Sequence, residues 1–328
     1  MSAVMIMTPM SNIHLPDPRA WGGVTRVADL GVVLAEGADA AVFLHGQLSQ
    51  DMNGQPADEA RLAAYCSAKG RMLASLLAVR PTPETFWLLT DREVLPGLVK
   101  RLSMFVLRAK AKLSDASTQL GVLGLVGQAA TDWLGAEAPS TVWSVRAHGG
   151  GHVLRLPDVL GVARWLWVGP HDQADGVVRD LPPLPDGAWN WLDVMSGIPR
   201  IGSRTVDQFV PQMVNFELIG GVNFKKGCYP GQEVVARSQY RGTTKRRAFV
   251  LHATTPLSPG MEVFSADDPG QPAGMVICSA PVPGATDGAA SALVELKLSA
   301  AGQPLTAGSA EGGALTMGEL PYVLPSAD

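Results

Sequence analysis

Three cysteines in 328 residues, at positions 66, 228 and 278, are odd in number and far apart. They form no Cys-x-x-Cys, no zinc spacing and no disulfide framework, and they point to a reducing, cytoplasmic setting. No run approaches the roughly 20 apolar residues that a membrane helix needs. The first ten residues carry no basic group, the first arginine being Arg19, so no signal peptide is expected either. His-Glu-x-x-His, Gly-x-Ser-x-Gly and the phosphate-binding P-loop are missing, which disfavours the standard hydrolases and NTPases.

What is present describes a well-buried globular chain: 46% hydrophobic and 17% charged residues, with 36 Gly and 25 Pro that imply many turns and much β-structure. The length exceeds that at which one core keeps growing, so two or three domains are expected. Residues 1–23 read as an extended lead-in. A strand over 30–35, a helix from Asp39 to about residue 48, strands over 61–67 and 72–80, a strand over 86–90, a helix over 91–105 and a strand from 112 form a first unit. Ala68-Lys69-Gly70-Arg71 joins the paired strands as a tight turn, and Cys66 reads as a small core residue. Residues 120–168 repeat the pattern, and a Pro-rich linker at 181–187 leads to a short element carrying Trp189 and Trp191. The reading is an α+β fold in residues 1–247, divided near 118, with helices packed on largely antiparallel sheets. From 248 to 328, short strands between Pro/Gly/Ser loops indicate a small β-barrel.

Two glycine-rich stretches read as structural. Gly121-x-x-Gly124-x-x-Gly127 departs from the dinucleotide fingerprint and has no acid placed for a ribose. His148-Gly-Gly-Gly-His152 sits between alternating strands and reads as a hairpin turn with solvent-facing histidines.

Charge is unevenly spread. Residues 220–247 contain Lys225, Lys226, Arg237, Arg241, Lys245, Arg246 and Arg247 against the single acid Glu233, a net +6 in a chain whose total is −4. Cys228 lies inside that stretch. Pro230-Gly231 closes a turn, residues 232–240 read as a helix, and Gly242 reads as its stop. The helix N-terminus and the neighbouring cations are expected to favour thiolate over thiol. A basic, solvated surface helix with an incidental cysteine is the plainer alternative.

Lys226-Gly-Cys228-Tyr229-Pro-Gly-Gln232-Glu233 resembles the signature of the YgfZ family, folate-binding proteins related to the aminomethyltransferase (T-protein) of the glycine cleavage system. The likeness extends to Gly-Ile-Pro-Arg at 197–200, Phe-Val-Pro-Gln-Met-Val-Asn at 209–215 and Ala-Arg-Ser-Gln-Tyr-Arg-Gly at 236–242. It also takes in His-Gly-Gln-Leu-Ser-Gln-Asp at 45–51 and Ala-Lys-Gly-Arg at 68–71. The resemblance implies a T-protein-like fold and tetrahydrofolate or a derivative as cofactor. It carries over a reactive group made of Cys228, Lys226, Tyr229, Gln232, Glu233 and Arg237. The implied folate contacts are Trp189 as a stacking face, Asp193 for the pterin nitrogens, Lys69 and Arg71 for the anionic tail, with Gln47 and Glu217. Two departures stand out. The hairpin continues Met72-Leu73-Ala74, without the carboxylate that T-proteins use at the folate amine, which argues against aminomethyl transfer. Met195 stands where relatives place a folate-contacting Glu, leaving Asp193 or Glu217 to compensate.

The family is associated with folate-dependent maintenance of iron–sulfur enzymes, including tRNA thiomethylation enzymes. The resemblance therefore implies an accessory protein whose partners are folate and iron–sulfur proteins or their assembly factors, with transient tRNA contact and no membrane. No stably bound metal is expected, since one cysteine cannot hold a cluster alone. A tetrahydrofolate-dependent one-carbon transferase and a tRNA-binding module remain open beside it.

Overall fold

Runs of Val, Leu and Ile broken by Gly and Pro turns alternate with segments whose apolar residues recur at helical spacing, and the chain folds accordingly. The computed structural model describes residues 13–240 and 244–325. In order come β1 (Gly23–Arg26), β2 (Leu30–Glu36), α1 (Ala40–Gln47), β3 (Arg61–Cys66), β4 (Met72–Thr82), β5 (Thr85–Asp91), α2 (Leu95–Ser103) and β6 (Lys112–Asp115). Next are β7 (Leu120–Val126), α3 (Gly127–Leu134), β8 (Val145–His148), β9 (Gly151–Val159), β10 (Val162–Pro170), α4 (His171–Asp180), α5 (Ala188–Met195) and α6 (Gln232–Tyr240). The last six strands are β11 (Arg246–Ala253), β12 (Glu262–Ser265), β13 (Asp268–Pro281), β14 (Ala290–Lys297), β15 (Leu305–Ala307) and β16 (Gly313–Met317).

Two antiparallel sheets of five strands, ordered β3-β4-β5-β2-β6 and β1-β7-β10-β9-β8, stand beside a closed barrel ordered β11-β14-β13-β12-β15-β16. Helices α1 and α2 bury Phe43, Leu44, Leu98 and Leu102 on one side of the first sheet. Helices α3 and α4 bury Ala130, Leu134, Ala174 and Val177 on one side of the second. The opposite sides of both sheets share one core with α5, the 201–222 segment and part of the barrel. The α+β class and the terminal barrel are thus what the patterning predicts. The last strand of the first sheet ends at Asp115, and β1 crosses to pair with β7, so the second layer is not continuous in sequence. The barrel begins at Arg246, two residues ahead of the expected boundary.

Local differences have physical causes. Asp39 does not cap α1; its carboxylate accepts from the Lys110 N–H at 2.7 Å and ties the loop before β6. His148 turns toward Glu137 at 3.0 Å, but His152 is half-buried with its ring edge-on to Trp87, and burial lowers its pKa, so only the turn itself matches expectation. The glycine-rich stretch in β7 exists for packing: a Cβ at Gly124 would lie 2.2 Å from the Trp189 ring. Helix α4 was not foreseen, because its apolar side is only Ala174 and Val177 in a polar run. The Gly242 stop, Arg241 and residues 1–12 of the lead-in lie outside the described residues. Among the described residues no helix is long and apolar enough to cross a membrane.

Candidate thiol site and neighbouring cleft

Motifs far apart in sequence meet around Cys228. Gly231 has φ +78°, and a Cβ there would sit 2.3 Å from the Ser67 carbonyl oxygen and 2.7 Å from Gly70. Gly70, with φ +72°, likewise leaves no room for a Cβ against Val234. The turn of the β3–β4 hairpin and the start of α6 therefore touch glycine to glycine, a contact any side chain would push apart. Gln212 supports the helix from below, its buried amide donating to the Val235 carbonyl at 2.8 Å. Asn215, at φ +60°, donates to the Ala248 carbonyl at 2.9 Å and fastens the first barrel strand to the same loop.

The segment 45–51 closes the other side. Ser49 donates to the Gly221 carbonyl at 2.6 Å, Gln50 to the Gly220 carbonyl at 2.7 Å, and the Asn223 N–H to the Ser49 carbonyl at 2.9 Å. Lys226 turns inward. Its ammonium donates to the carbonyls of His45 at 2.6 Å and Leu48 at 3.0 Å, and lies 4.8 Å from the centre of the Tyr229 ring. Burial pulls its pKa down to about 8, with Asp51 and Cys228 acting against that shift. Tyr229 is buried, its hydroxyl has no hydrogen-bond partner among the described residues, and burial raises its pKa. His45 Nδ1–H donates to Asp51 at 2.8 Å, and Asp51 also lies 4.0 Å from the Arg61 guanidinium. Cys228 itself is exposed, whereas Cys66 is buried and its thiol is pushed up to about 12 by burial.

Two of the seven bases in the 220–247 stretch pair with acids outside it. Arg247 pairs with the buried Glu217 carboxylate and Arg246 with the buried Glu295 carboxylate. Burial raises both carboxyls, and the arginines oppose the shift. Arg237 pairs with Glu233 one helical turn away, on the exposed side of α6. The solvated basic helix of the plainer alternative describes α6 alone.

A second feature lies between the sheets. Leu62, Leu77 and Leu89 of the first sheet face Leu156 and Leu166 of the second across a narrow cleft that Trp143 also lines. Counting the solvent at its mouth, it encloses about 550 Å³. Asp91, Asp193 and Arg200 form its polar part. Arg200 lies 2.6 Å from Asp29, 3.9 Å from Asp193 and 4.0 Å from Asp91. Burial works against its charge, but Asp193 and Asp29 outweigh burial and hold the guanidinium above its ordinary value. Burial also raises the Asp91 carboxyl, against the Glu93 N–H and Arg200. Arg164, fully buried, reaches Asp193 at 3.6 Å.

Of the residues singled out from the sequence, Cys228, Lys226 and Tyr229 come together, with Gln232, Glu233 and Arg237 following on α6. Asp193 lines the cleft. Trp189 does not offer a stacking face: it is 3% exposed, packed on Gly124 and 5.3 Å from the Arg164 guanidinium, because α5 buries that side against β7 and β10. Glu217 is committed to Arg247, and Arg71 to the Gln208 carbonyl. Lys69 is exposed on the hairpin turn, and neither it nor Arg71 lines the cleft. Gln47, the last residue of α1, is half-buried, with Oε1 unpartnered among the described residues. Sequence reasoning missed His45, Asp51, Asp91, Trp143 and the partners of the arginines. The first two stand in a motif already singled out, and their i, i+6 spacing was the available signal.

No family model matches the chain. It is 33% identical over 262 residues to the tRNA-modifying protein YgfZ of Edwardsiella ictaluri, covering 76% of each chain. To the protein of the same name from Sodalis glossinidius it is 32% identical over 249 residues, covering 74% of each. Among solved structures it resembles the glycine cleavage system aminomethyltransferase T of Bartonella henselae, with a TM-score of 0.72 at 17% identity over 94% of this chain and 88% of that one. That likeness establishes a T-protein fold.

Proposed function

The chain belongs to the YgfZ family, and from that premise we propose that it binds a reduced folate in the cleft between its sheets. With Cys228 as its reactive group, it supports iron–sulfur enzymes that modify tRNA. The observation that carries this reading is the division of labour within one body. An apolar slot ends in carboxylates, and an exposed thiol stands separately on a junction that tolerates no side chain.

The chemistry of the cleft favours a pterin. A pterin presents amino and ring N–H donors on one edge and flat apolar faces elsewhere. Asp91 and Asp193 offer acceptors for the donor edge, and the leucines supply the walls. Trp143 takes the stacking part expected of Trp189. It is held at φ +70°, a conformation that a bulky residue adopts only when its surroundings impose it. Its backbone carbonyl accepts from the Ala60 N–H at 2.7 Å, and its backbone N–H donates to the Arg155 carbonyl at 2.8 Å, which holds the main chain of Trp143 beside the cleft.

The thiol is suited to a role other than aminomethyl transfer. Met72 and Ala74, after the hairpin, offer no carboxylate, and Cys228 does not line the cleft. A soft thiolate can receive an electrophile or serve as one ligand to iron held by a partner. Titration of the purified chain with tetrahydrofolate, followed by tryptophan fluorescence, tests the cleft. Trp143→Leu is expected to weaken binding by about 1–3 kcal/mol through lost burial and stacking. Unchanged affinity in that variant would remove the cleft from the reading.

A further inference from the structure

His45 stands between a carboxylate and the thiol loop. Its Nδ1–H donates to Asp51 at 2.8 Å, which fixes the tautomer that leaves Nε2 bare. Nε2 has no hydrogen-bond partner among the described residues, and it points at the thiol loop, 3.5 Å from where a Cβ on Gly227 would stand. Cys228 is the next residue. The backbone carbonyl of His45 is gripped by Lys226, two residues before the thiol, so the ring and the loop are held in register.

We propose that His45, oriented by Asp51, is the proton acceptor for the Cys228 thiol. The inference rests on the reading that Cys228 is the working group. In the step, the Sγ–H bond breaks, the proton passes to Nε2, and the electron pair stays on sulfur, giving a thiolate beside an imidazolium. Asp51 stabilises that cation through Nδ1–H, in the arrangement that nucleophile, base and orienting acid share across unrelated folds. The other charged groups facing the pair divide: they favour the Asp51 carboxylate and the thiolate but oppose positive charge on the imidazole. Arg61 lies 4.0 Å from Asp51 and donates to its carbonyl at 2.6 Å. Burial works against the Asp51 charge, but the Gly54 N–H and His45 outweigh it and hold the carboxyl below its ordinary value. Lys226 adds positive charge next to the thiolate, and the Tyr229 ring faces Lys226 and not the imidazole.

A merely structural role fits poorly. The His45 and Asp51 side chains are 20% and 31% exposed, and a contact so open to water contributes little to stability. Nor does the pair fasten the loop, which Ser49, Gln50 and Lys226 already do through backbone carbonyls.

The test is the rate at which iodoacetamide modifies Cys228 in the full chain from pH 5 to 10, followed by peptide mass spectrometry so that Cys66 and Cys278 are counted separately. The parent chain is expected to keep a reactive limb at pH values where an unassisted thiol stays protonated, from the thiolate–imidazolium pair. His45→Gln should lose that limb and react roughly tenfold more slowly there, leaving a single titration of an unassisted thiol. Asp51→Asn, which keeps the size of the side chain, should lower the same limb about threefold by releasing the tautomer. Profiles of both variants that superimpose on the parent overturn the inference. Cys228→Ser in cells lacking the protein tests the underlying reading separately. A fully active serine variant removes the working thiol whatever the alkylation shows. An inactive serine variant together with unchanged alkylation profiles removes only His45.

Discussion

The cleft and the thiol loop handle polar groups in opposite ways. In the cleft, charge is buried and heavily cross-paired: Arg200 serves Asp29, Asp91 and Asp193, and Arg164 reaches Asp193 with no exposure at all. Such groups are costly to strip of water and hold position only while every partner remains. At the thiol loop Cys228 is exposed, and position comes from the backbone, through glycine contacts at 70 and 231 and carbonyls that accept from Ser49, Gln50 and Lys226. On the proposed function, one region receives a ligand in a fixed polar frame and the other presents a reactive atom to solvent, so the loop's side chains should contribute little to stability and its glycines much.

The largest effect should come from the support of the cleft. Trp191 is fully buried on α5, edge-on to Trp21 at 5.8 Å, and donates to the Ser291 hydroxyl of β14 at 2.9 Å. It ties the helix that carries Asp193 to the barrel. Trp191→Ala is expected to cost about 3–5 kcal/mol in urea unfolding and to abolish folate binding. A cost under about 1 kcal/mol would show that α5 is held by other contacts and that cleft and barrel are not coupled through it.

Next in size is the glycine junction. Gly231→Ala places a methyl 2.3 Å from the Ser67 carbonyl at a φ of +78°, so the hairpin or the helix has to move. The expected cost is about 1–3 kcal/mol in thermal unfolding, with function in cells lost and folate affinity kept. If affinity fell as steeply as function, the two regions would be one site and the contrast drawn between them would fail.

How much of this could be read from the chain alone depended on the range of the interactions. Strands over 61–67 and 72–80, the hairpin at Gly70, the helix after Pro230-Gly231 and the barrel are written in local patterns of apolar residues and turns. These emerged within a few residues of their bounds. The exposed Cys228 was legible because its Lys-Lys-Gly and Tyr-Pro-Gly flanks suit no core position. What pairs with what across the chain was not legible. Glu217 is offered by no local rule to Arg247, nor Gly124 to the Trp189 ring, and so Trp189 read as an open face when it is a buried one. The crossing of β1 to the second sheet was hidden likewise, since four residues of strand do not say which edge they join. His45 and Asp51 were visible as residues but not as a pair.

The smallest effect on stability should be at Cys228 itself, and the contrast is sharpest there. The side chain is exposed, on a loop whose shape is set by the backbone contacts of Lys226, Asn223 and Gly231. Serine is of similar size and removes no buried area, so Cys228→Ser should shift unfolding by less than about 0.5 kcal/mol. Folate affinity should also hold, because the cleft lies between the sheets and Cys228 does not line it. Function in cells should nevertheless be lost. A serine hydroxyl stays protonated at neutral pH, gives its proton to an imidazole far less readily than a thiol, and is a poor ligand for iron. The thermal midpoint, the folate titration and the restoration of iron–sulfur enzyme activity in cells lacking the protein decide it together. A serine variant that restores full activity would leave the thiol without a function. A large fall in the midpoint would mean that the loop is held by its cysteine and not by its glycines.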